Sequence, residues 1–599
     1  MPLEINEHVA KLTDYIPFEG TSGSQIYEYT AQDDNALNVA TVALTHVENA
    51  LDQQDLRLIV LTGDAGHGKT HLSAQTMALA GLSRREVNEK LRVEEVCSGL
   101  IPVTKLPNGK DLFIIKDLSE ISPESLGCMR LKLALQSPDR LTLVCANEGR
   151  LRAICAPDQD LKPILDALKH GVATGIVSPT PELEVINLNF QSVAAKNSPI
   201  LSAVIDSWHR EDSPWAPCND CDAKGSCPIL ANRTRLADGL APDGPGPFGE
   251  ALLTLFRTAE AAGAVVTIRQ LLILLAYATT GGLDCEAVHA KNLGTDGSDR
   301  PWQTDLEFTN LIFGERMTTT QAESVPSLRY LRALDPGYSR HRMVDEALDP
   351  IEAADLLSFP EPEDPSQVAA PQTGAQAKKH GERARTIKRS LRRADYFQAL
   401  KSDLPPIKRL GLRYVDEFRQ ICDEGSRHPD HDQLVRSLVL GLEAIQGIRR
   451  ESLGHELLIA DAAFPTDSKA TVIQGTIPSQ SLKLLNQREH WDCVATSSSM
   501  RTPEVVDWCD RRVYLRVNGS SPDNEPLTIP LGLNIYEFLR RAADGLPVGD
   551  FFASDIRTIS FLLGALGRNL YKREEYLEVA ADGQRRKVAL NSSGLIESW

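Results

Sequence analysis

Residues 58–70 read LIVLTGDAGHGKT, an apolar run that empties into Gly63, Asp64, Ala65, Gly66, His67, Gly68, Lys69 and Thr70. The stretch satisfies GxxxxGK[ST] at every fixed position, the pattern of a loop that cradles phosphate. Glycines let successive backbone N–H groups curl around an anion without side-chain clash. Lys69 then supplies a point charge to the β and γ phosphates, and the Thr70 hydroxyl is placed to ligate magnesium. The flanks agree. Residues 58–61 read as a buried strand, and HLSAQTMALAG, opening at His71, reads as a helix whose N-terminus faces the anion. The pattern implies a nucleoside triphosphate bound with Mg2+.

Downstream, DLFIIKDLSEIS (111–122) carries an apolar strand that ends at Lys116 and Asp117, where an acidic residue of the magnesium shell belongs. Asp117 is the candidate. Glu120 suits either the orientation of an attacking water or a solvated position opening the next helix. A further strand in LTLVCANEG (141–149) brings Asn147 to its carboxyl end, the edge where ligands sit in open α/β sheets. A polar amide there fits a sensor of nucleotide state, and equally a turn. LEVINLNF (183–190) adds another strand, and VTIRQLLILLAYATTGG (266–282) a helix that carries Arg269. The expected fold class is α/β, a parallel phosphate-loop sheet with a helical lid, followed by a mixed α+β C-terminal region.

Taken in order, GDAGHGKT, FIIKD, VCANEG and the later arginine-bearing helix resemble the Walker A, Walker B, sensor 1 and sensor 2 elements of AAA+ ATPases, over roughly residues 30–290. The resemblance implies a five-stranded parallel sheet with a helical lid, ATP and Mg2+ at a subunit boundary, and homo-oligomeric rings or clusters. It assigns Lys69, Asp117, Glu120 and Asn147 to catalysis and Arg269 to nucleotide sensing. The arginine finger has no clean counterpart. Arg150 and Arg152 are the nearest, and 156–183 contains no arginine. PCNDCDAKGSCPILANRTRL, LRALDPGYSR and LTIPLGLNIYEFLRRAADG are similar to ATPase subunits of phosphorothioation-dependent DNA restriction systems, and more broadly to ATPases of prokaryotic anti-phage defence islands. That likeness implies partner subunits, a separate nuclease or effector among them, and duplex DNA.

The chain has 599 residues, 42% of them hydrophobic, enough for about four domains of roughly 150 residues. No uninterrupted apolar run reaches about 18 residues, and MPLEINEHVAKLTDYI has neither the basic nor the apolar part of a secretory signal. The expectation is a cytoplasmic protein without a membrane partner. A net charge of −18 argues against nucleic acid coating the whole surface and leaves room for a local basic groove.

Eleven cysteines are too scattered for a disulfide scaffold. Three of them, Cys218, Cys221 and Cys227, form CxxC followed by a third thiol, a spacing that brings two thiolates to one tetrahedral zinc from a tight turn. His209, Cys285 and Cys155 are the options for a fourth ligand, His209 foremost. Packed reduced thiols, or a redox pair at Cys218 and Cys221, are the competing readings.

A boundary is expected near residue 360. The four expected domains are an ATPase core (1–195), a helical lid with the Cys-rich insertion (196–358), a flexible linker (359–382) and an α+β domain (383–599). Around the last boundary, Lys378, Lys379, Arg383, Arg385, Lys388, Arg389, Arg392 and Arg393 set eight cations against one Glu. Helical spacing puts several on one face, suited to a phosphate backbone or to docking on an acidic partner or the protein's own acidic body. Residues 415–450 read as amphipathic helices, and alternating runs from about 455 as a β-rich module. His455 and His490 stand apart from any nucleophile, and no nuclease constellation is present, so the chain is not expected to cut DNA itself.

Overall fold

The computed structural model describes residues 5–16, 39, 41–195, 200–210, 212–239, 245–294, 302–338, 342–348, 356–359, 375–398, 405–448, 456–461, 470–494, 512–517, 528–546, 559, 563–564, 576–581, 584–590 and 596–598. They form two compact units, not four. The described residues of the first lie within Met1–Glu260 and Ala264–Gly411, and those of the second within Ala261–Gly263, Leu412–Thr496 and Asp510–Trp599.

The first unit is built on a six-stranded sheet. Its strands are β1 (Leu58–Thr62), β2 (Thr104–Lys105), β3 (Asp111–Ile115), β4 (Arg140–Cys145), β5 (Ile176–Thr180) and β6 (Leu183–Asn187), in the order β2-β3-β4-β1-β6-β5. The inner four are mutually parallel. The edges β2 and β5 run antiparallel to their neighbours, so the expected five-stranded parallel sheet is corrected to a mixed one. Both edge strands escape a hydropathy reading, β2 because it has two residues and β5 because Ser178 and Pro179 interrupt its apolar run.

Continuous apolar runs are what a parallel strand covered on both faces requires. LIVLT in β1 is buried at every position. Alternation divides it: Ile59 and Leu61 meet Ala43, Val47, Leu72 and Met77 on one face, and Leu58 and Val60 meet Leu131, Leu151, Ile154 and Ile164 on the other. Helices Val42–Leu51 and Lys69–Leu79 therefore cover one side, and Glu124–Gln136, Glu148–Cys155 and Lys162–Thr174 the other. This is a three-layer α/β unit. The expected helix opening at 71 begins two residues earlier, at Lys69, because left-handed Gly68 is the residue that enters it.

Helices follow the sheet within the same unit. Ile268–Thr280 is capped by Thr267, whose hydroxyl accepts from the Gln270 N–H, and is closed by left-handed Gly281. Ile268–Asn292 is long and apolar enough to cross a membrane by length and composition, yet most of it is buried inside the protein, as a core helix is. The expected boundary at 383 is absent. One helix, Ala375–Gln398, runs unbroken through it within the first unit, and the second unit begins at Leu412. Most of the expected linker, and most of 555–571, lie outside the described residues.

The second unit holds a three-stranded antiparallel sheet of β9 (Leu482–Leu485), β10 (Val513–Val517) and β11 (Thr528–Leu531). A five-stranded antiparallel sheet comprises β7 (Glu456–Ala460), β8 (Ala470–Pro478), β12 (Tyr576–Ala581), β13 (Gln584–Leu590) and β14 (Ile596–Ser598). The helices expected over 415–450 are Val415–Glu424 and His431–Ile445. His431–Ile445 crosses Leu533–Ala543 at Gly441, where a Cβ would lie 2.2 Å from the Leu539 carbonyl oxygen, so only glycine permits the crossing. Buried Glu537 ties the segment before Val415 to this helix, accepting from the N–H groups of Arg413 (2.9 Å) and Tyr414 (2.8 Å).

Candidate functional site

Strand register fixes which loops meet. Leu61 pairs with Cys145, Ile115 with Val144 and Thr62 with Asn187. The chain leaving each strand therefore emerges at one carboxyl edge, which carries Gly63, Asp117, Asn147 and Asn189 together. Between β1 and the Lys69–Leu79 helix, Gly63, Gly66 and Gly68 have φ of 139°, 98° and 78°. Side chains rarely adopt such backbone, so the glycines are what shape the loop. Ala65 lies in the same turn, His67 is buried, and Thr70 and His71 occupy the first helical turn, half-buried. Burial holds the His71 imidazole below its ordinary pKa.

Lys69 folds back on the loop. Its Nζ donates to the carbonyl oxygens of Gly63 (2.5 Å) and Asp64 (3.0 Å). Burial lowers its pKa, against the opposing pull of Cys145, Asp117 and Asp64, so the cation sits in a desolvated place with Asp117 near. Beneath it, the buried Cys145 sulfur lies 3.0 Å from Ser73 Oγ and donates to the Lys69 carbonyl at 3.4 Å. Burial pushes that thiol up to about 11, which leaves it a neutral packing group.

Asp117 caps the short turn Leu118–Glu120, its Oδ1 accepting from Ser119 N (2.8 Å) and Ser119 Oγ (2.6 Å). Its Oδ2 makes no hydrogen bond among the described residues. Glu120 is exposed, on the outer side of that turn. Asn147 caps the helix Glu148–Cys155 by accepting from Gly149 N at 3.0 Å, the turn role foreseen as its alternative, and is exposed at the sheet edge. Arg150 pairs with Glu124, and Arg152 with Glu148 at 2.7 Å, so both finger candidates are engaged locally.

Two contacts escaped the sequence reading. Asn189 Oδ1 accepts from the Asp64 N–H at 2.7 Å, holding the loop to the end of β6. The Arg269 N–H donates to the Gly66 carbonyl at 3.0 Å, and a Cβ on Gly66 would lie 3.0 Å from both Arg269 Cβ and Thr267 Oγ1. The Arg269 side chain is exposed beside the loop. Asn189, in LNF, carried a signal only by analogy with Asn147, a polar amide just past a strand on the same edge.

The cationic helix is a core element. Arg393 is buried, with Nε and Nη2 on Asp335 at 2.9 and 2.5 Å and Nη1 on Asn310 (3.0 Å) and Glu315 (2.9 Å). Arg392 grips Asp345 with two bonds, 2.7 and 2.9 Å, and Arg383 lies 3.7 Å from Asp305. Arg389 bonds Tyr338, and Lys388 is half-buried. Lys378 and Arg385 are exposed, Arg385 Nε bonding only the Gly381 carbonyl of its own helix at 3.0 Å. The Lys379 side chain lies outside the described residues. Of the two uses expected for the cationic face, a phosphate backbone or the protein's own acidic body, Arg383, Arg392 and Arg393 take the second, meeting internal carboxylates on a helix that Ile387, Leu391, Ala394 and Phe397 bury.

Cys218, Cys221, Cys227, Cys285, His289 and Asn6 line one cavity of the first unit. Asn6 Nδ2 donates to Cys218 Sγ at 3.2 Å, and Cys221 Sγ lies 3.4 Å from His289 Nε2. His209 does not line it. That imidazole is fully buried 3.4 Å from Thr279 Oγ1, between the Trp208 and Trp215 rings. Burial, with His8 and Arg233 nearby, drives its pKa down to about 3. Of the three candidates for a fourth ligand, Cys285 alone lines the cavity with the CxxC thiols. Cys155 is buried against the sheet's other face, in the core of its helical layer. As placed, no three His, Cys, Asp or Glu side chains among the described residues converge to hold an ion.

No protein-family model matches the chain, and no match to a curated protein or a solved structure was found.

Proposed function

We propose that this chain is an AAA+-like ATPase subunit of a bacterial DNA restriction or anti-phage defence complex, whose nucleotide cycle acts on DNA recognition or on a separate effector. One observation carries the nucleotide part: a loop bent by three left-handed glycines and closed by Lys69, on the sheet edge that also presents Asp117 and Asn147. In this reading ATP is held with Mg2+, which stabilises charge on the transferring phosphoryl group. Loop N–H groups and Lys69 Nζ bind the β and γ phosphates, the lysine exchanging two carbonyl partners for phosphate oxygens. Thr70 Oγ1 and the Asp117 carboxylate hold the metal shell. Glu120 or Asn147 orients the attacking water, and Arg269 reads the γ phosphate from the helix joined to Gly66.

A second reading, a signalling switch that gates assembly without touching DNA, is favoured by the internal ion pairs of Arg383, Arg392 and Arg393. ATP turnover with and without duplex DNA, against Lys69→Ala as blank, tests both. Turnover above the blank that DNA raises several-fold supports the DNA-coupled form. Turnover indifferent to DNA supports the switch, and none above the blank removes the hydrolase.

A further inference from the structure

We propose that Cys218, Cys221, Cys227 and Cys285 bind one zinc ion as a tetrathiolate site, with His289 hydrogen-bonded to a ligand sulfur. Three observations carry this. All four thiols line a single cavity, although Cys285 is 58 residues beyond Cys227. Cys218 and Cys221 reach it from one turn at CxxC spacing, which suits two vertices of a tetrahedron. Cys285 and His289 stand four residues apart on the helix Cys285–Asn292, hence on one face, and both line the same space. Soft thiolates select zinc over the oxygen-seeking cations.

As placed, the thiols turn to hydrogen-bond partners, Cys218 to Asn6 and Cys221 to His289, and do not converge. Coordination asks each thiol to lose its proton to solvent and to rotate about its Cα–Cβ bond toward the common centre. The four residues already line one cavity, which is the ground for bringing their sulfurs together. Four thiolates against one divalent cation leave two negative charges, and Lys224 is among the residues lining the cavity, its Nζ on the Asn219 carbonyl at 3.3 Å. His289 Nε2, already 3.4 Å from Cys221 Sγ, is placed to donate to that sulfur, the kind of outer contact that orients a ligand.

The site brackets a segment of consequence. Cys227 precedes and Cys285 follows the helix Ile268–Thr280, whose second residue is Arg269, and the helix Glu7–Asp14 packs on it just after Asn6. Zinc would fasten both ends of the stretch that presents Arg269 to the glycine loop. The proposal stands whether or not the chain hydrolyses ATP.

The test uses the full chain, with metal content by mass spectrometry and Co2+ as an optical probe. The expected result is about one zinc per chain as purified, and after exchange a Co2+ spectrum with intense sulfur-to-cobalt charge transfer and tetrahedral d–d bands. Cys285→Ser lowers the charge-transfer intensity by about a quarter. His289→Ala keeps the intensity and weakens metal affinity roughly 10–100-fold, and His209→Ala leaves the spectrum unchanged. A wild-type chain that is folded by circular dichroism yet takes up neither zinc nor cobalt overturns the proposal without reference to any variant. So does a Co2+ spectrum that Cys285→Ser leaves intact.

Discussion

Replacing Arg393 by methionine separates a DNA-facing helix from a structural one. The side chain is 3% exposed and that of its chief partner, Asp335, 2%. The guanidinium satisfies both Asp335 oxygens, at 2.9 and 2.5 Å, and reaches Glu315 at 2.9 Å. Methionine keeps much of the volume but leaves the Asp335 carboxylate buried with the Gly337 N–H, at 2.8 Å, as its remaining hydrogen-bond donor among the described residues. Breaking a buried pair from one side costs about 3–5 kcal/mol, most of it the stranded charge. With a urea dependence of about 3 kcal/mol per molar, expected for a unit this large, the midpoint of the first unit falls by roughly 1–1.7 M. Arg385→Ala, whose side chain is exposed and bonded only within its own helix, should stay within about 0.5 kcal/mol of wild type. The assay is urea unfolding followed by circular dichroism, with DNA affinity measured on the same samples over a range of salt. A wild-type midpoint for Arg393→Met, together with weaker DNA binding and a salt slope reduced by about one, would refute the burial argument.

Lys69→Ala should abolish measurable ATP binding by calorimetry while leaving the unfolding midpoint unchanged or slightly raised, because burial already disfavours the lysine charge. Gly66→Ala forces a side chain into φ +98° with its Cβ 3.0 Å from Arg269 Cβ and Thr267 Oγ1, a loss of about 2 kcal/mol in thermal unfolding, accompanied by weaker nucleotide binding. Asn189→Ala frees the Asp64 amide and loosens the loop, and a roughly tenfold loss of ATP affinity is expected by titration. His209 supplies a pH limb. Its folded pKa, about 3, is below the ordinary 6.5, so its stabilising effect is complete above pH 6.5 and is lost as pH falls toward 3. Denaturation at pH 6.5 and 4.5 should differ by about 2–3 kcal/mol more for wild type than for His209→Phe.

The inner sheet and its loop were legible because local pattern determines them. An apolar run covered on both faces, a glycine that must turn left-handed and a lysine at fixed spacing all lie within thirteen consecutive residues, 58–70. Asp117 and Asn147 followed from the ends of their strands. What stayed hidden depended on residues remote in sequence. The partners of Arg392 and Arg393 lie some 47 to 83 positions away, so charge density alone could not reveal that the helix is internal. Cys285 and His289 join the thiol cavity from a helix with no motif of its own. The expected break at 383 failed for a related reason: lysines and arginines with long apolar stems tolerate a half-buried helix that composition reads as solvated.

The bond from the Arg269 amide to the Gly66 carbonyl is main chain at both ends. No single side-chain replacement deletes it, short of proline at 269. Any displacement of the loop is therefore handed directly to the first turn of Ile268–Thr280, as a pushrod moves its lever. Replacing Arg269 by alanine would leave this linkage untouched. Amide exchange at Arg269, slowed or quickened by nucleotide, is where the coupling of loop and helix would become visible.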